Sequence, residues 1–177
     1  HLAQRGVRSM LLDLPGCNES IVPVSLQSLS SWRVAVSDAA VRLQVTHIAS
    51  IRGGCLLDDA AGLPTWRLAP VRGAALLKIM LRTRIAGDKE AGIYSTAERL
   101  LTDGRACGVH LAGQMLGAQM VADLEAAIAI NNDLVTEDTL TDVAGTPLWL
   151  RAEPGDSPEM SSALAARLDA WSASCGG

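Results

Sequence analysis

The feature that most constrains the fold of this chain is the segment Ser-Ile-Arg-Gly-Gly at residues 50–54. Residues 45–51 predict a strand that leads into it, and residues 53–61 predict a helix that follows. Small residues around the central position allow strand and helix backbones to approach closely in a tight turn. The central residue, Arg52, stays protonated at any working pH and cannot be a nucleophile.

The composition predicts one folded domain without a charge pattern for nucleic acid. The 177 residues are 49% hydrophobic and 19% charged, far from the balance of a disordered chain. A net charge of −4 gives no general electrostatic reason to bind nucleic acid. The sequence contains no transmembrane-length apolar run, and its first residues lack the apolar core of a secretory signal. A cytoplasmic location is therefore predicted.

The sequence gives no support for a cofactor. The four cysteines are widely spaced without a Cys-x-x-Cys pair, so free thiols are predicted. Motifs for phosphate loops, His-Glu-x-x-His zinc sites and dinucleotide binding are absent. We therefore predict no metal and no cofactor, and a small-molecule substrate or an anionic ligand as the partner.

Further segments predict strands that alternate with helices. The predicted strands are residues 9–14, 45–51, 63–71 and 146–153. The predicted helices are residues 29–43, 53–61, 74–85, 95–101, 115–130 and 158–172, with Ser28 or Ser30 as the first cap. Such alternation predicts an α/β fold with a parallel sheet flanked by helices. The long helical stretch between the last two strands predicts a helical cap. We thus expect an α/β core in residues 1–71 and 145–177, with a cap in 72–144.

Several of these segments resemble the α/β-hydrolase superfamily. The pentapeptide at residues 50–54 is similar to its nucleophile elbow. Residues 12–20, Leu-Asp-Leu-Pro-Gly-Cys-Asn-Glu-Ser, resemble an Asp-x-x-Gly-x-Gly-x-Ser loop, with Asn18 in place of the second glycine. Residues 146–158 resemble the later strand whose following loop carries the catalytic acid, and Asp156 occupies that place.

A narrower resemblance is to the exosortase A system-associated hydrolases of bacteria. It rests on the order of four short segments that begin at Trp66, Leu81, Thr96 and His110. The resemblance implies a partial α/β-hydrolase fold and hydrolysis of an ester or related acyl bond in an exopolysaccharide or envelope pathway. It also implies earlier strands and a last strand with a triad histidine, so the chain is expected to be a fragment. His1, His47 and His110 do not match the position of that histidine.

Arg52 and Ser50 are the candidate ligand-binding residues. A guanidinium near a helix N-terminus could bind a carboxylate, phosphate or sulfate. The alternative for Arg52 is a salt bridge to Asp13, Asp58 or Asp156. Ser50 precedes the centre by two positions, which favours packing against the helix over nucleophilic attack.

Other candidate residues have structural alternatives. Asp156 is the possible triad acid by resemblance, but a cap for the final helix is the favoured alternative. Cys55 is expected to be a small buried hydrophobe rather than a nucleophile. The basic segment at residues 67–89 could contact an anionic ligand or a membrane, although a solvated face balanced by the acidic residues 133–142 is favoured.

Three hypotheses follow for function. The first is a hydrolase with a degenerate elbow. The second is a non-catalytic protein that keeps the pocket and binds an anionic ligand or partner through Arg52. The third is a different parallel α/β protein in which the elbow-like sequence occurs by chance.

Overall fold

The computed structural model describes residues 1–147, Trp149 and residues 155–175 of the chain. The α-helices in this part are α1 Leu29–Arg42, α2 Gly73–Glu90, α3 Ala97–Cys107, α4 Ala118–Ala126 and α5 Pro158–Ser174. The strands are β1 Ile48–Ile51, β2 Thr65–Leu68, β3 Val109–Leu111, β4 Gln114–Leu116 and β5 Val135–Asp138. The predicted α/β class is confirmed.

A small parallel sheet forms the centre of the fold and is flanked by helices. Its order is β1-β2-β5, with parallel pairing on both sides of β2. All four residues of β2 are buried, as expected for the central strand. Trp66 and Leu68 share one face of β2 and pack with Met160 and Trp171 of α5. Arg67 lies between them in sequence and therefore faces the opposite side.

The third strand of the sheet, β5, was not predicted. It lies within residues 72–144, the predicted cap, yet it pairs with β2 in register Arg67↔Glu137. Its polar sequence, Val-Thr-Glu-Asp, lacks the apolar pattern that marks most buried strands. The end of the predicted cap segment is therefore part of the sheet.

The predicted strand at residues 9–14 is wrong. These residues have no regular secondary structure, and Leu11 is 98% exposed. An apolar run becomes a buried strand only when a neighbouring strand accepts its hydrogen bonds and a second layer covers its side chains. Here the segment pairs with no described strand. The predicted strand at residues 146–153 lies largely outside the described residues.

The first and last predicted helices are confirmed, and the one after the elbow is not. The Ser28 side chain accepts a hydrogen bond from the Ser31 backbone N–H, and the Ser28 backbone N–H donates to the Ser31 hydroxyl. This reciprocal pair fixes the start of α1. The last helix, α5, begins at Pro158 as predicted. Instead of a helix at 53–61, two 3-10 turns occur, Arg52–Leu56 and Asp59–Ala61. Between them Asp58 turns into the interior, which a continuous helix would not allow.

The remaining helices pack on one another and on the β3–β4 hairpin. The predictions at 74–85 and 95–101 correspond to α2 and α3, whereas the prediction at 115–130 merges β4 with the shorter α4. Gly117 separates these two elements, and a Cβ there would lie 2.2 Å from the backbone oxygen of Ser25. A side chain at this position is therefore excluded. None of the described helices has both the length and the apolar character needed to cross a bilayer.

Candidate functional site

The backbone turns sharply at Arg52, immediately after β1. Ile51 is extended, with φ −130° and ψ 132°, and Arg52 then has φ +53° and opens a 3-10 turn. A positive φ is uncommon for a residue with a side chain and costs free energy. The Arg52 carbonyl accepts a hydrogen bond from the Val71 backbone at 3.4 Å, which links the turn to the segment after β2. The tight turn predicted from the pentapeptide is present.

The two glycines after Arg52 have different steric roles. A Cβ on Gly53 would lie 2.8 Å from Cδ1 of Leu76, because α2 packs directly over this position. A Cβ on Gly54 would make an ordinary contact of 3.8 Å with Cβ of Ser50. A side chain at Gly53 would therefore require the end of the flexible Leu76 side chain to move, whereas one at Gly54 would not require any shift.

The Arg52 side chain is partly buried and lies over an indole ring. Its guanidinium carbon is 5.4 Å from the centroid of Trp149, within the range of a cation–π contact. It forms no ion pair with any residue that the structure describes, so the alternative of a salt bridge to Asp13, Asp58 or Asp156 is wrong for that part of the chain.

Trp149 also contributes an unpaired donor. Its indole Nε1 is buried and has no hydrogen-bond partner among the described residues. A buried N–H without a partner costs about 1–3 kcal/mol and calls for an acceptor such as an ion or a water molecule. Trp149 and Arg52 therefore bring together, at the carboxyl end of β1, two donor groups that have no acceptor among the described residues.

Ser50 lies beneath the turn rather than on its open side. Ser50 is buried, and its hydroxyl donates a hydrogen bond to Oδ2 of Asp58. The hydroxyl also lies 3.4 Å from the Cys55 sulfur. Ser50 and Arg52, predicted to share a ligand, are therefore separated in role, because the Ser50 hydroxyl is already engaged.

Asp58 forms an ion pair with Arg67. Arg67 belongs to the basic segment that was predicted to form a solvated face, but it is buried. Arg67 is 0% exposed, and its guanidinium donates to both carboxylate oxygens of Asp58, at 2.9 and 2.5 Å. A third bond of 2.9 Å reaches Oδ1 of Asn131. The hydrogen bond to Asp58 raises the pKa of Arg67, so the charge persists. The position of Arg67 between Trp66 and Leu68 in a short apolar strand was the available signal for burial.

Cys55 lies next to this network and is not a reactive thiol. It is 1% exposed, and burial is the largest cause that raises the pKa of its thiol. A protonated and inaccessible thiol is a poor nucleophile. The prediction that Cys55 is a small buried hydrophobe is confirmed, as is the prediction that the four cysteines are free.

Asp156 lies just before α5. One of its carboxylate oxygens accepts a hydrogen bond of 2.8 Å from the backbone N–H of Ser157, which occupies the N-cap position of α5 without a side-chain capping bond. The histidines lie elsewhere: His47 precedes β1 at the amino end of the sheet and packs on Trp171, and His110 lies in β3. This arrangement agrees with a local role for Asp156 at the start of the helix.

A second acid at the carboxyl edge of the sheet was missed. Asp138, the last residue of β5, accepts hydrogen bonds from Arg167 at 2.5 and 2.9 Å and from Trp66 at 2.8 Å. The Arg167 hydrogen bond, opposed by burial and aided by Trp66, lowers the pKa of Asp138. Because Arg167 belongs to α5 and Asp138 to β5, this ion pair joins the helix to the sheet.

Two cavities lie away from Arg52. The larger, about 560 Å³, borders the amino end of β1 and includes residues 43–49 and Trp171 in its lining. The smaller, about 340 Å³, lies between α2 and α3. Arg52 lines neither of them.

Comparison with family models, curated proteins and solved structures returned no match, so the family resemblance stays a prediction.

Proposed function

We propose that this chain is a non-catalytic α/β protein that binds a small anionic ligand through Arg52. The observation that carries the proposal is the Arg52 guanidinium, which lies over Trp149 at a left-handed turn after β1 and has no ion-pair partner among the described residues. A planar guanidinium offers paired N–H donors that match a carboxylate, phosphate or sulfate. The ligand would accept hydrogen bonds from the Arg52 guanidinium, as the carboxylates of Asp58 and Asp138 do from Arg67 and Arg167.

The surroundings favour binding at this position. The turn fixes the direction in which the Arg52 side chain leaves the backbone, and the contact with Trp149 limits its motion. A guanidinium that is already ordered loses less conformational entropy when it binds.

The groups around the turn argue against acyl transfer by a nucleophile. Arg52 cannot attack a carbonyl, Ser50 is bonded to Asp58, and Cys55 is buried and protonated. A general base within hydrogen-bonding reach is also required. The carboxylate bonded to Ser50, that of Asp58, is already held in the ion pair with Arg67, and none of the three histidines of the chain lies at this turn.

A hydrolase is the second candidate, and one observation favours it. The positive φ at the end of a parallel strand is the conformation that raises a central side chain above the sheet in the α/β-hydrolase elbow. Under this hypothesis the protein would cleave an ester or related acyl bond in an exopolysaccharide or envelope pathway, with α2, α3 and α4 as the cap.

Thermal denaturation with added anions separates the two candidates. Phosphate, sulfate and succinate should each be titrated against the wild type and Arg52→Gln. A ligand at ten times its Kd stabilises the folded state by about 1.4 kcal/mol, which corresponds to a rise in Tm of roughly 3–6 °C. Arg52→Gln should lose this rise. Arg42→Gln should keep it, because Arg42 is an exposed arginine at the end of α1.

An esterase assay completes the test. Release of p-nitrophenol from short acyl esters should stay at the background rate for all three proteins. Turnover that disappears in Arg52→Gln would establish the hydrolase and end the non-catalytic proposal. An equal anion effect in wild type and Arg52→Gln would remove Arg52 from the binding site.

A further inference from the structure

The smaller cavity is a groove between α2 and α3 with an apolar floor. Leu77, Leu81 and Ile85 follow one another along α2 at positions that share a face, and they line the groove. Ala97 and Leu101, one turn apart on α3, line the opposite wall. Leu77 and Leu81 are almost fully buried, so the floor is fixed by the core of the protein.

Two cations stand at the rim of this groove. Lys78 and Arg82 are exposed, lie one helical turn apart on α2 and line the cavity. Neither forms an ion pair within the part of the chain that the structure describes. Like charges at this spacing repel each other slightly, and an anion between them would remove the repulsion.

The acid at the same groove is already neutralised. Glu125 of α4 also lines the cavity, but its two carboxylate oxygens accept hydrogen bonds from Arg105 at 2.8 and 2.5 Å. These bonds lower the pKa of Glu125, which stays ionised and paired. The groove therefore combines an apolar floor with a surplus of positive charge.

We propose that the α2–α3 groove binds a single-chain amphipathic anion, an aliphatic carboxylate. The hydrocarbon chain would lie on Leu77, Leu81 and Leu101, and the carboxylate would lie between Lys78 and Arg82. A volume of about 340 Å³ is near the lower limit for small-molecule sites, which selects one short chain rather than a two-chain lipid.

This site is separate from the one proposed at Arg52. On α2, Leu76 packs toward Gly53 and the turn, whereas the groove is lined by the neighbouring face of the helix. The two sites share no lining residue. Each can therefore fail without the other.

Isothermal titration of the full chain with octanoate, decanoate and dodecanoate, each below its micelle concentration, tests the proposal. One ligand per chain should bind, and each added methylene should tighten binding up to about fourfold until the groove is full. Decanol, which has the chain without the charge, should bind more weakly than decanoate.

Variants locate the site. The double variant Lys78→Gln, Arg82→Gln should weaken decanoate binding about tenfold, the effect expected for loss of two exposed charge pairs. Lys89→Gln, which removes an exposed cation of α2 outside the groove, should leave binding unchanged. Ala97→Leu should weaken binding by filling the groove, and circular dichroism should confirm that each variant folds.

Four results would overturn the proposal. The first is the absence of binding by all three carboxylates, and the second is an affinity that does not depend on chain length. The third is an equal effect of Lys89→Gln and the double variant. Binding to phosphatidylglycerol vesicles without binding of free decanoate would also overturn it and would assign the basic face to a membrane surface.

Discussion

The buried pair of Arg67 and Asp58 gives the strongest prediction about stability. In Asp58→Asn the Arg67 charge would stay in a site with 0% exposure after losing the carboxylate that accepts two of its hydrogen bonds. Removal of one partner from a buried ion pair costs about 3–5 kcal/mol. That is a large part of the 5–15 kcal/mol that stabilises a typical domain.

Urea denaturation followed by circular dichroism measures this loss, and thermal melting gives a second estimate. The same 3–5 kcal/mol corresponds to a fall in Tm of roughly 6–20 °C for a domain of this size. Asp103→Asn is the matched control, because its partner Arg99 is 78% exposed and 3.9 Å away. Loss of such an exposed pair should cost less than about 1 kcal/mol.

A double replacement tests the reason for the loss. Arg67→Met with Asp58→Leu removes both charges and should recover most of the stability lost in Asp58→Asn, since well-packed apolar residues can replace a buried pair. If Asp58→Asn cost no more than Asp103→Asn, Arg67 would have access to solvent, which would contradict its place in a buried ion pair.

Three further predictions concern other sites. Asp138→Asn should destabilise the protein at pH 7, and its difference in stability from the wild type should shrink as the pH falls below about 4. The folded state lowers the pKa of Asp138, so the stabilisation is lost when the carboxylate is protonated. Urea denaturation at several pH values measures this difference. Gly117→Ala should lower Tm by forcing a backbone clash, whereas Gly87→Ala, with open space around its Cβ in α2, should raise stability by about 0.5–1 kcal/mol. Arg52→Gly should be about 1 kcal/mol more stable than Arg52→Ala in chemical denaturation. Both variants lack the guanidinium, but only glycine relieves the strain of the left-handed conformation. Equal stabilities would contradict the positive φ at this residue.

The sequence predicted those elements whose signals are local. The start of α1 depends on Ser28 and Ser31, three positions apart, and the turn at Arg52 depends on its immediate neighbours. The parallel α/β class followed from alternation of strands and helices along the chain. For the cap of α1 and the turn at Arg52, the residues that determine the structure lie within a few positions of it.

The failed predictions concern signals that come from distant residues. In β5 the polar end of the strand is buried because Arg167 pairs with Asp138, and this contact spans 29 positions. Arg67 enters the interior because Asp58 and Asn131 receive its hydrogen bonds, the second from 64 positions away. Leu11 is apolar, yet it is 98% exposed. The hydrophobic pattern within one segment does not show which distant residues will contact it.

The buried network also bears on the proposed ligand site. Asp58 accepts hydrogen bonds both from Ser50 of β1 and from Arg67 of β2, two residues that are partners in the parallel register. Ser50 is two positions before Arg52, so the same carboxylate that neutralises the interior also holds the strand from which the turn leaves. An anion site at Arg52 would thus depend on the Arg67–Asp58 ion pair without direct contact to it. Loss of that pair should weaken anion binding together with stability, whereas loss of the Arg52 side chain should remove binding while the network below it stays intact.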